Sequence, residues 1–473
     1  MTGAATVLAR CAEAVTGTRL PVAIKAWDDS MAGPADGPAF VLRSPQALRR
    51  LLWRPGQLGL ARAWVAGELD VEGDLYEALD RISRLLWERE PAGGDDAAHR
   101  LPAFLRSSTG VRALYDTVAL ARPGLPPTPP AEEVAGRRGR AHTLRRDRAA
   151  ISHHYDVGND FYRLVLGPSL VYSCAYWQGG PDEGATLEEA QEAKLELICR
   201  KLGLRAGERM LDVGCGWGSL ALHAARHHGV HVVGVTISTE QANLARWRVE
   251  RAGLTDEVEI RVQDYREISD GPYDAISSVG MAEHVGTQAY RGYAAILHGL
   301  LKPEGRLLNH QIARRPVPGE KAYRMNSFID RYVFPDGELA PVGSTVALLE
   351  EAGFEVRDVE ALREHYALTL RAWVTNLERH WDEAVRLTSP ERARIWRLYM
   401  AASALGFERN TMGVNQVLAV RTAADGSSGM ALLRGVGRWA EPAISGRRAE
   451  AAALLPEDMF LTGDGCDGPT GED

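Results

Sequence analysis

From residue 208 onward, short apolar runs alternate with amphipathic stretches. Glu208–Val213, His231–Ile237, Val258–Val262, Tyr273–Val279, Gly305–Ile312, Phe354–Val359 and Val414–Arg421 read as seven strands. Ser219–His228 and Thr239–Ala252 repeat their apolar positions at helical spacing and fill two of the gaps. Such alternation implies a mostly parallel sheet covered by helices on both faces. Residues 313–345, rich in Pro, Gly, Arg and Tyr, are too long for an ordinary connection and read as an insertion or lid.

The chain before this pattern is different. Residues 1–120 read as a small mixed domain, with strands at Pro21–Trp27 and Ala39–Leu42. Asp74–Glu90 reads as a helix with Leu75, Leu79, Ile82 and Leu86 on one face, a stripe typical of core packing. Residues 121–150 read as a linker: five prolines between Pro123 and Pro130 favour an extended spacer. A basic run follows, Arg137, Arg138, Arg140, Arg145, Arg146 and Arg148. It suits either a solvated helix that orders on the next domain or an electrostatic contact with anionic phospholipid. The third domain spans residues 151–423, and a Gly-, Ser- and acid-rich tail, 424–473, is expected to be partly disordered.

Composition narrows the class. Of 473 residues, 45% are apolar and 25% charged, as in soluble globular proteins, and the net charge of -8 disfavours nucleic acid as a partner. Five cysteines without a CxxC pair suit a reducing, cytoplasmic setting. No apolar run is long enough to span a bilayer and no signal-peptide layout opens the chain, so the expected membrane contact is peripheral, at the inner face.

The candidate chemistry centres on Leu211-Asp212-Val213-Gly214-Cys215-Gly216-Trp217-Gly218, between the first strand and a helix. Glycines here let a ligand approach the backbone closely. The spacing Gly214-x-Gly216-x-Gly218 is neither the dinucleotide fingerprint nor a P-loop. It suits a cofactor with no pyrophosphate, and S-adenosylmethionine (SAM) is the candidate, with Asp212 at its methionine end. Strand two ends at Thr236 near Gln241, where a ribose would lie. Strand three ends in Gln263-Asp264-Tyr265-Arg266, which offers polar groups and a ring to an adenine, and strand four ends in Ser278 to His284.

At this point the chain resembles the cyclopropane fatty acid synthases. The stretches that carry the resemblance are Ser152 to Tyr162, Tyr172-Ser173-Cys174-Ala175-Tyr176-Trp177, Leu211 to Gly218, Thr236-Ile237-Ser238, Gly280 to Gly286 and Phe328 to Pro335. The resemblance implies an α/β fold of the class I SAM-dependent methyltransferases, a Rossmann-like seven-stranded sheet, with a smaller N-terminal lipid-binding domain. It implies transfer of a one-carbon unit from SAM to a cis double bond of a phospholipid acyl chain, with bicarbonate as base. It places the bicarbonate ligands at Cys174, Glu283, His310, Ile312 and Tyr366, with Cys174 and Ile312 acting through backbone groups. The SAM contacts carried over are Tyr172, Ser173, Gly214, Gly216, Thr236, Gln241, Tyr265 and Arg266, the last departing from the acidic residue of some members. Asn309-His310, Leu362 to Tyr366 and Trp396 to Met400 further resemble the subgroup that makes methylene-branched chains and works with a separate reductase. The expected partners are therefore unsaturated phospholipid acyl chains, an anionic membrane surface and a reductase. A homodimer is one expected assembly, the oligomeric state being open from sequence.

The chemistry agrees with such a site. Alkene attack on a sulfonium methyl leaves a mid-chain cation, which water must not reach. Tyr155, Phe161, Tyr172, Tyr176, Trp177 and Tyr332 are candidate aromatic neighbours for it, each contributing about 0.5–2 kcal/mol. No motif side chain is an obvious strong base, and bicarbonate tuned by Glu283 and His310 would supply one. His153, His154 and Asp156 offer no third well-placed ligand, and no metal is expected. Cys215 reads as a small filler in the glycine loop. A small-molecule N- or O-methyltransferase is the alternative enzyme, and a silent lipid-binding protein the non-enzyme one.

Overall fold

A computed structural model describes residues 3–86, 108–121, 124–134, 146, 157–317 and 325–431. Four short strands form the N-terminal sheet: β1 (Ala23–Lys25), β2 (Met31–Ala32), β3 (Ala39–Leu42) and β4 (Leu69–Glu72), in the order β2-β1-β3-β4. The predicted strand 21–27 is shorter because the chain turns at Ala26, whose N–H donates to the Ser30 carbonyl at 3.0 Å. Helices Ala4–Thr16 and Ser108–Leu120, not foreseen, pack on each other beside this sheet. The predicted helix 74–90 is observed as Leu75–Leu86, with Leu75 buried and Leu79 and Ile82 half-buried; residues 87–90 lie outside the described residues.

The seven predicted strands of the main sheet are all present. They are β5 (Arg209–Val213), β6 (His231–Thr236), β7 (Val258–Val262), β8 (Tyr273–Val279), β9 (Leu301–Arg314), β10 (Glu355–Ala361) and β11 (Met412–Val420). Their order is β10-β11-β9-β8-β5-β6-β7. The five from β9 through β8, β5 and β6 to β7 run parallel, while β11 lies antiparallel to both β9 and β10. The central strands are buried on both faces, which is why they read as apolar runs: Met210, Leu211 and Val213 are fully enclosed. The order reverses between β5 and β8, so both carboxyl ends open on one crevice, the usual ligand position in such sheets. Longer helices, Arg363–Arg379 and Pro390–Glu408, follow the insertion and pack against each other.

Two couplings join the N-terminal region to this fold. Trp64 Nε1 donates to the Arg394 carbonyl at 2.9 Å, and Arg394 Nε returns a bond to the Trp64 carbonyl at 2.7 Å. Arg394 also pairs with Asp70 at 3.1 Å and lies over the Trp64 ring. At the linker, Glu133 accepts two bonds of 2.7 Å from Arg62 and one of 2.9 Å from the Tyr332 hydroxyl. The predicted insertion contains the helix Ser327–Tyr332, and Val134 pairs through its backbone with Arg331.

Several expectations fall outside the described residues: the aromatic Tyr155, the His153-His154-Asp156 group, most of the basic run and the tail beyond residue 431. Of that run only Arg146 is described, and its guanidinium is bidentate to Asp336 at 2.5 and 2.6 Å. Two units divide the chain, Met1–Gly429 and Met430–Asp473, the second described only at its first two residues. Among the described residues no helix is long and apolar enough to cross a membrane.

Candidate active site

The glycine loop turns sharply because its residues allow positive φ. Gly214, Gly216 and Gly218 stand at φ +76°, +55° and +79°. A Cβ on Gly214 would lie 2.4 Å from the Met281 side chain, so the absence of a side chain also lets the β8 loop close over it. Gly218 caps the helix Ser219–His228 and packs near Ala245 rather than facing the cleft.

A cleft of about 1240 Å³, open to solvent, lies at the carboxyl ends of β5, β6, β7 and β8. Tyr172, Ser173, Asp212, Gly214, Gly216, Thr236, Gln241, Gln263, Tyr265 and Arg266 all line it, so ten of the eleven expected cofactor residues meet there. Gly218 does not. The Thr236 hydroxyl donates to Gln241 Oε1 at 2.9 Å, which fixes the pair expected at the ribose. Arg266 is held by Asp264 at 2.8 Å and lies over the Tyr265 ring, so its charge is neutralised inside the protein. Asp212 is buried in β5 and accepts from the Ser277 hydroxyl at 2.6 Å; burial pushes its carboxyl up to about 6, against the lowering effect of Ser277 and Lys194.

The cleft also contains Lys194, which no sequence motif singled out, and Asp264, Met281 and His284, which lie in the strand-end motifs but were given no individual role. Lys194 sits on the helix Leu187–Leu202, whose Thr186-Glu189 capping box and Gly203 stop are local sequence signals. Gln191 and Lys194 are polar residues three apart on its buried face, the mark that would have singled them out.

None of the five expected catalytic residues is among those that line this cleft. Glu283 occupies the one-turn helix Ala282–Val285 after β8, and its Oε1 accepts the Ile312 backbone N–H at 2.7 Å. The other carboxyl oxygen, Oε2, is buried and has no hydrogen-bond partner among the described residues. Burial pushes this carboxyl up to about 7, outweighing the lowering effect of the Ile312 bond. His310 lies two residues before Ile312 on β9, hence on the same side of the strand. Its Nδ1 meets the Gln416 side-chain nitrogen at 3.2 Å, and its Nε2 is buried with no partner among the described residues. Because the Gln416 amide donates to Nδ1, the ring proton belongs on Nε2. Burial pushes the imidazole down to about 3, so it is neutral at physiological pH.

Cys174 and Tyr366 form the other half of the set. Cys174 is fully enclosed, with Sγ 3.6 Å from the Leu362 carbonyl at the start of the helix that carries Tyr366. Burial holds its thiol well above the ordinary range, so it is no thiolate. Tyr366 packs on Phe407 and Trp373. Tyr172, at the cleft, packs against Trp373 and Trp396, and Tyr399 packs edge-on against Trp396 and Phe334.

Around these groups lies an aromatic cluster. Tyr162 contacts Tyr172, Trp217 and Trp396, with centroids 4.8–5.6 Å apart. Tyr176 stacks on His365 at 4.8 Å. Phe161 packs in the core against Trp396, the Trp177 indole donates to Thr369, and Tyr332 is tied to Glu133.

Sheet order, glycine loop and cleft define a class I SAM-dependent methyltransferase. The comparisons with known proteins agree. The family model described as mycolic acid cyclopropane synthetase matches residues 142–417. A probable fatty acid methyltransferase of Mycobacterium tuberculosis is 41% identical over 422 residues, 87% of this chain and 94% of that one. The cyclopropane-fatty-acyl-phospholipid synthase of Escherichia coli is 40% identical over 273 residues, 58% of this chain and 68% of that one. A mycolic acid cyclopropane synthase solved with SAH (S-adenosylhomocysteine) and CTAB superposes with a TM-score of 0.53 at 33% identity, covering 57% of this chain and 97% of that one. This chain belongs to the mycolic acid cyclopropane synthetase family.

Proposed function

We propose that this enzyme adds a one-carbon unit from SAM to the cis double bond of an unsaturated phospholipid acyl chain, by way of a carbocation and with bicarbonate as base. The observation that carries this reading is the pair of buried polar atoms without partners among the described residues, Glu283 Oε2 and His310 Nε2. Below its raised pKa, Glu283 offers a hydroxyl there, and neutral His310 offers an N–H. Two buried donors left without partners suit a small oxyanion, since buried donors are costly unless satisfied. Bicarbonate held by them would supply a proton acceptor that no side chain here provides. An acceptor with its own lone pair, as in N- or O-methylation, needs no such group.

The chain's own residues would orient and protect the reaction. Tyr172 and the aromatic cluster behind it offer ring faces to a cation without reacting with it, at about 0.5–2 kcal/mol each. Their close packing excludes water, which would otherwise trap the cation. Loss of the proton from the added methyl gives a cyclopropane; loss after a hydride shift gives a methylene branch for a partner reductase.

We also assign residues 1–120 to lipid delivery at an anionic membrane surface. In support, Arg50, Trp53, Arg54, Arg62 and Pro126 surround a recess next to Leu125, which is 84% exposed. Trp53 is 55% exposed, and an exposed indole beside cations suits a lipid headgroup layer. The test of the whole reading is transfer of radiolabelled methyl from SAM to vesicles of cis-unsaturated phospholipid. Label in the acyl chains, dependent on bicarbonate, is the expected result. No label in lipid, with SAM bound, would overturn it.

A further inference from the structure

One buried charge in the cleft has no part in the chemistry described so far. Lys194 is 2% exposed and lines the cleft, and among the described residues its one hydrogen bond is to the Ser173 hydroxyl at 3.0 Å. An ammonium has three donors to satisfy. Among the described residues Lys194 makes no ion pair. A buried cation left unpaired costs several kcal/mol on the general scale of such desolvation, so sites that retain one usually pair it. Helix Leu187–Leu202 is arranged to hold it in place. Three residues earlier on the same face, Gln191 donates to the carbonyls of Leu166 and Val171 and accepts from Ser169 at 2.7 Å, pinning the loop that presents Tyr172 and Ser173.

The same part of the cleft holds an opposite charge. Asp212 is also 2% exposed, and among protein groups its carboxylate accepts from the Ser277 hydroxyl. Lys194 and Asp212 influence each other's charge but do not form an ion pair. A buried cation and a buried anion, both lining one cleft and held apart, are complementary to a zwitterion placed between them. The amino-acid end of SAM is a zwitterion.

We propose that Lys194 binds the α-carboxylate of SAM, Ser173 steering its ammonium, while Asp212 faces the α-ammonium. This rests on the reading of the cleft as a SAM site. The bond is charge-assisted and buried, so it discriminates strongly against a ligand that lacks the carboxylate. It also fixes the depth at which the sulfonium sits, because the helix that carries Lys194 is rigidly capped at both ends.

Isothermal titration of the full-length protein with SAM, S-adenosylhomocysteine and decarboxylated SAM tests this. Wild type is expected to bind decarboxylated SAM at least about tenfold more weakly than SAM. Lys194→Met is expected to weaken SAM to the level of the decarboxylated ligand, with little further loss for that ligand. Lys194→Arg, which keeps the charge, is expected to restore part of the SAM affinity. Equal binding of both ligands by wild type would overturn the proposal. So would wild-type SAM affinity in Lys194→Met, or an equal loss of both ligands, which marks a merely structural lysine. If Lys194→Met does not fold, the wild-type comparison alone decides. Failure of wild type to bind any of the three would instead overturn the SAM reading of the cleft, and this proposal with it.

Discussion

Gln416 holds His310 in one tautomer: its side-chain nitrogen meets Nδ1 at 3.2 Å, and the two residues are directly opposite each other in the antiparallel β9–β11 pair. That contact leaves the Nε2 proton for whatever occupies the space before it. Gln416→Met keeps the volume and removes the donor. Turnover is expected to fall about 10- to 100-fold, a cost like that of losing the partner that orients a metal-bound histidine. SAM affinity measured by calorimetry should stay within about twofold. Loss of SAM binding in parallel with turnover would contradict the assignment.

Glu283 makes stability depend on pH in a predictable direction. Its folded-state pKa is raised from 4.5 to about 7 by burial. Below pH 4.5 the carboxyl is protonated whether the chain is folded or not, and stability is unaffected. As pH rises towards 7 the unfolded chain ionises first, and the native state loses roughly 3 kcal/mol. Glu283→Gln retains an acceptor for the Ile312 N–H and removes this loss. Urea unfolding should find the variant more stable than wild type near pH 8, with the gap closing near pH 5. Turnover should be lost at both. A gap that widens towards pH 5 would refute the raised pKa.

Gly214→Ala tests the close approach in the cofactor loop. The new Cβ would meet Met281 at 2.4 Å, in a backbone region at φ +76° that costs an L-residue about 1–2 kcal/mol. The Met281 side chain can move, so the fold should survive. SAM affinity is expected to drop at least about tenfold, measured by equilibrium dialysis.

Arg394→Ala removes the main fastener between Trp64 and the helix Pro390–Glu408. It deletes the pair with Asp70 and bonds to the Trp64 and Leu69 carbonyls at 2.7 and 2.6 Å. A destabilisation of about 2–4 kcal/mol is expected, because Asp70 is left with less compensation in a half-dry setting. Arg43 still pairs with Asp70 at 2.9 Å, which caps the loss. Chemical denaturation followed by tryptophan fluorescence measures it.

Trp53→Ser together with Leu125→Ser should weaken co-sedimentation with anionic vesicles, and Arg54→Glu should weaken it further at low salt. Binding unchanged in both variants would remove the N-terminal region from membrane contact.

The strands were legible in the sequence because a strand buried on both faces must be apolar throughout, as Leu211 and Val213 are. The glycine loop was legible for a similar reason: positive φ at Gly214, Gly216 and Gly218 is a local requirement that restricts the residue type. The N-terminal helices were not, since Ala4–Thr16 has no side-chain cap and no acidic first turn to mark its start. The lid helix Ser327–Tyr332 was read only as part of an overlong connection, because its anchor, Glu133, is nearly two hundred residues away.

The site divides along the same line. Local sequence determined the β5 turn, the Thr236–Gln241 pair and the capped helix on which Lys194 rides, since each depends on neighbours within a few residues. Tertiary structure alone decided that Gln416 meets His310 across 106 residues, that Ile312 occupies one oxygen of Glu283, and that Lys194 and Asp212 line the same cleft. The physical reason is that backbone preference acts over a few bonds. Desolvation and charge pairing depend instead on what the folded chain encloses, and no stretch of sequence contains both partners.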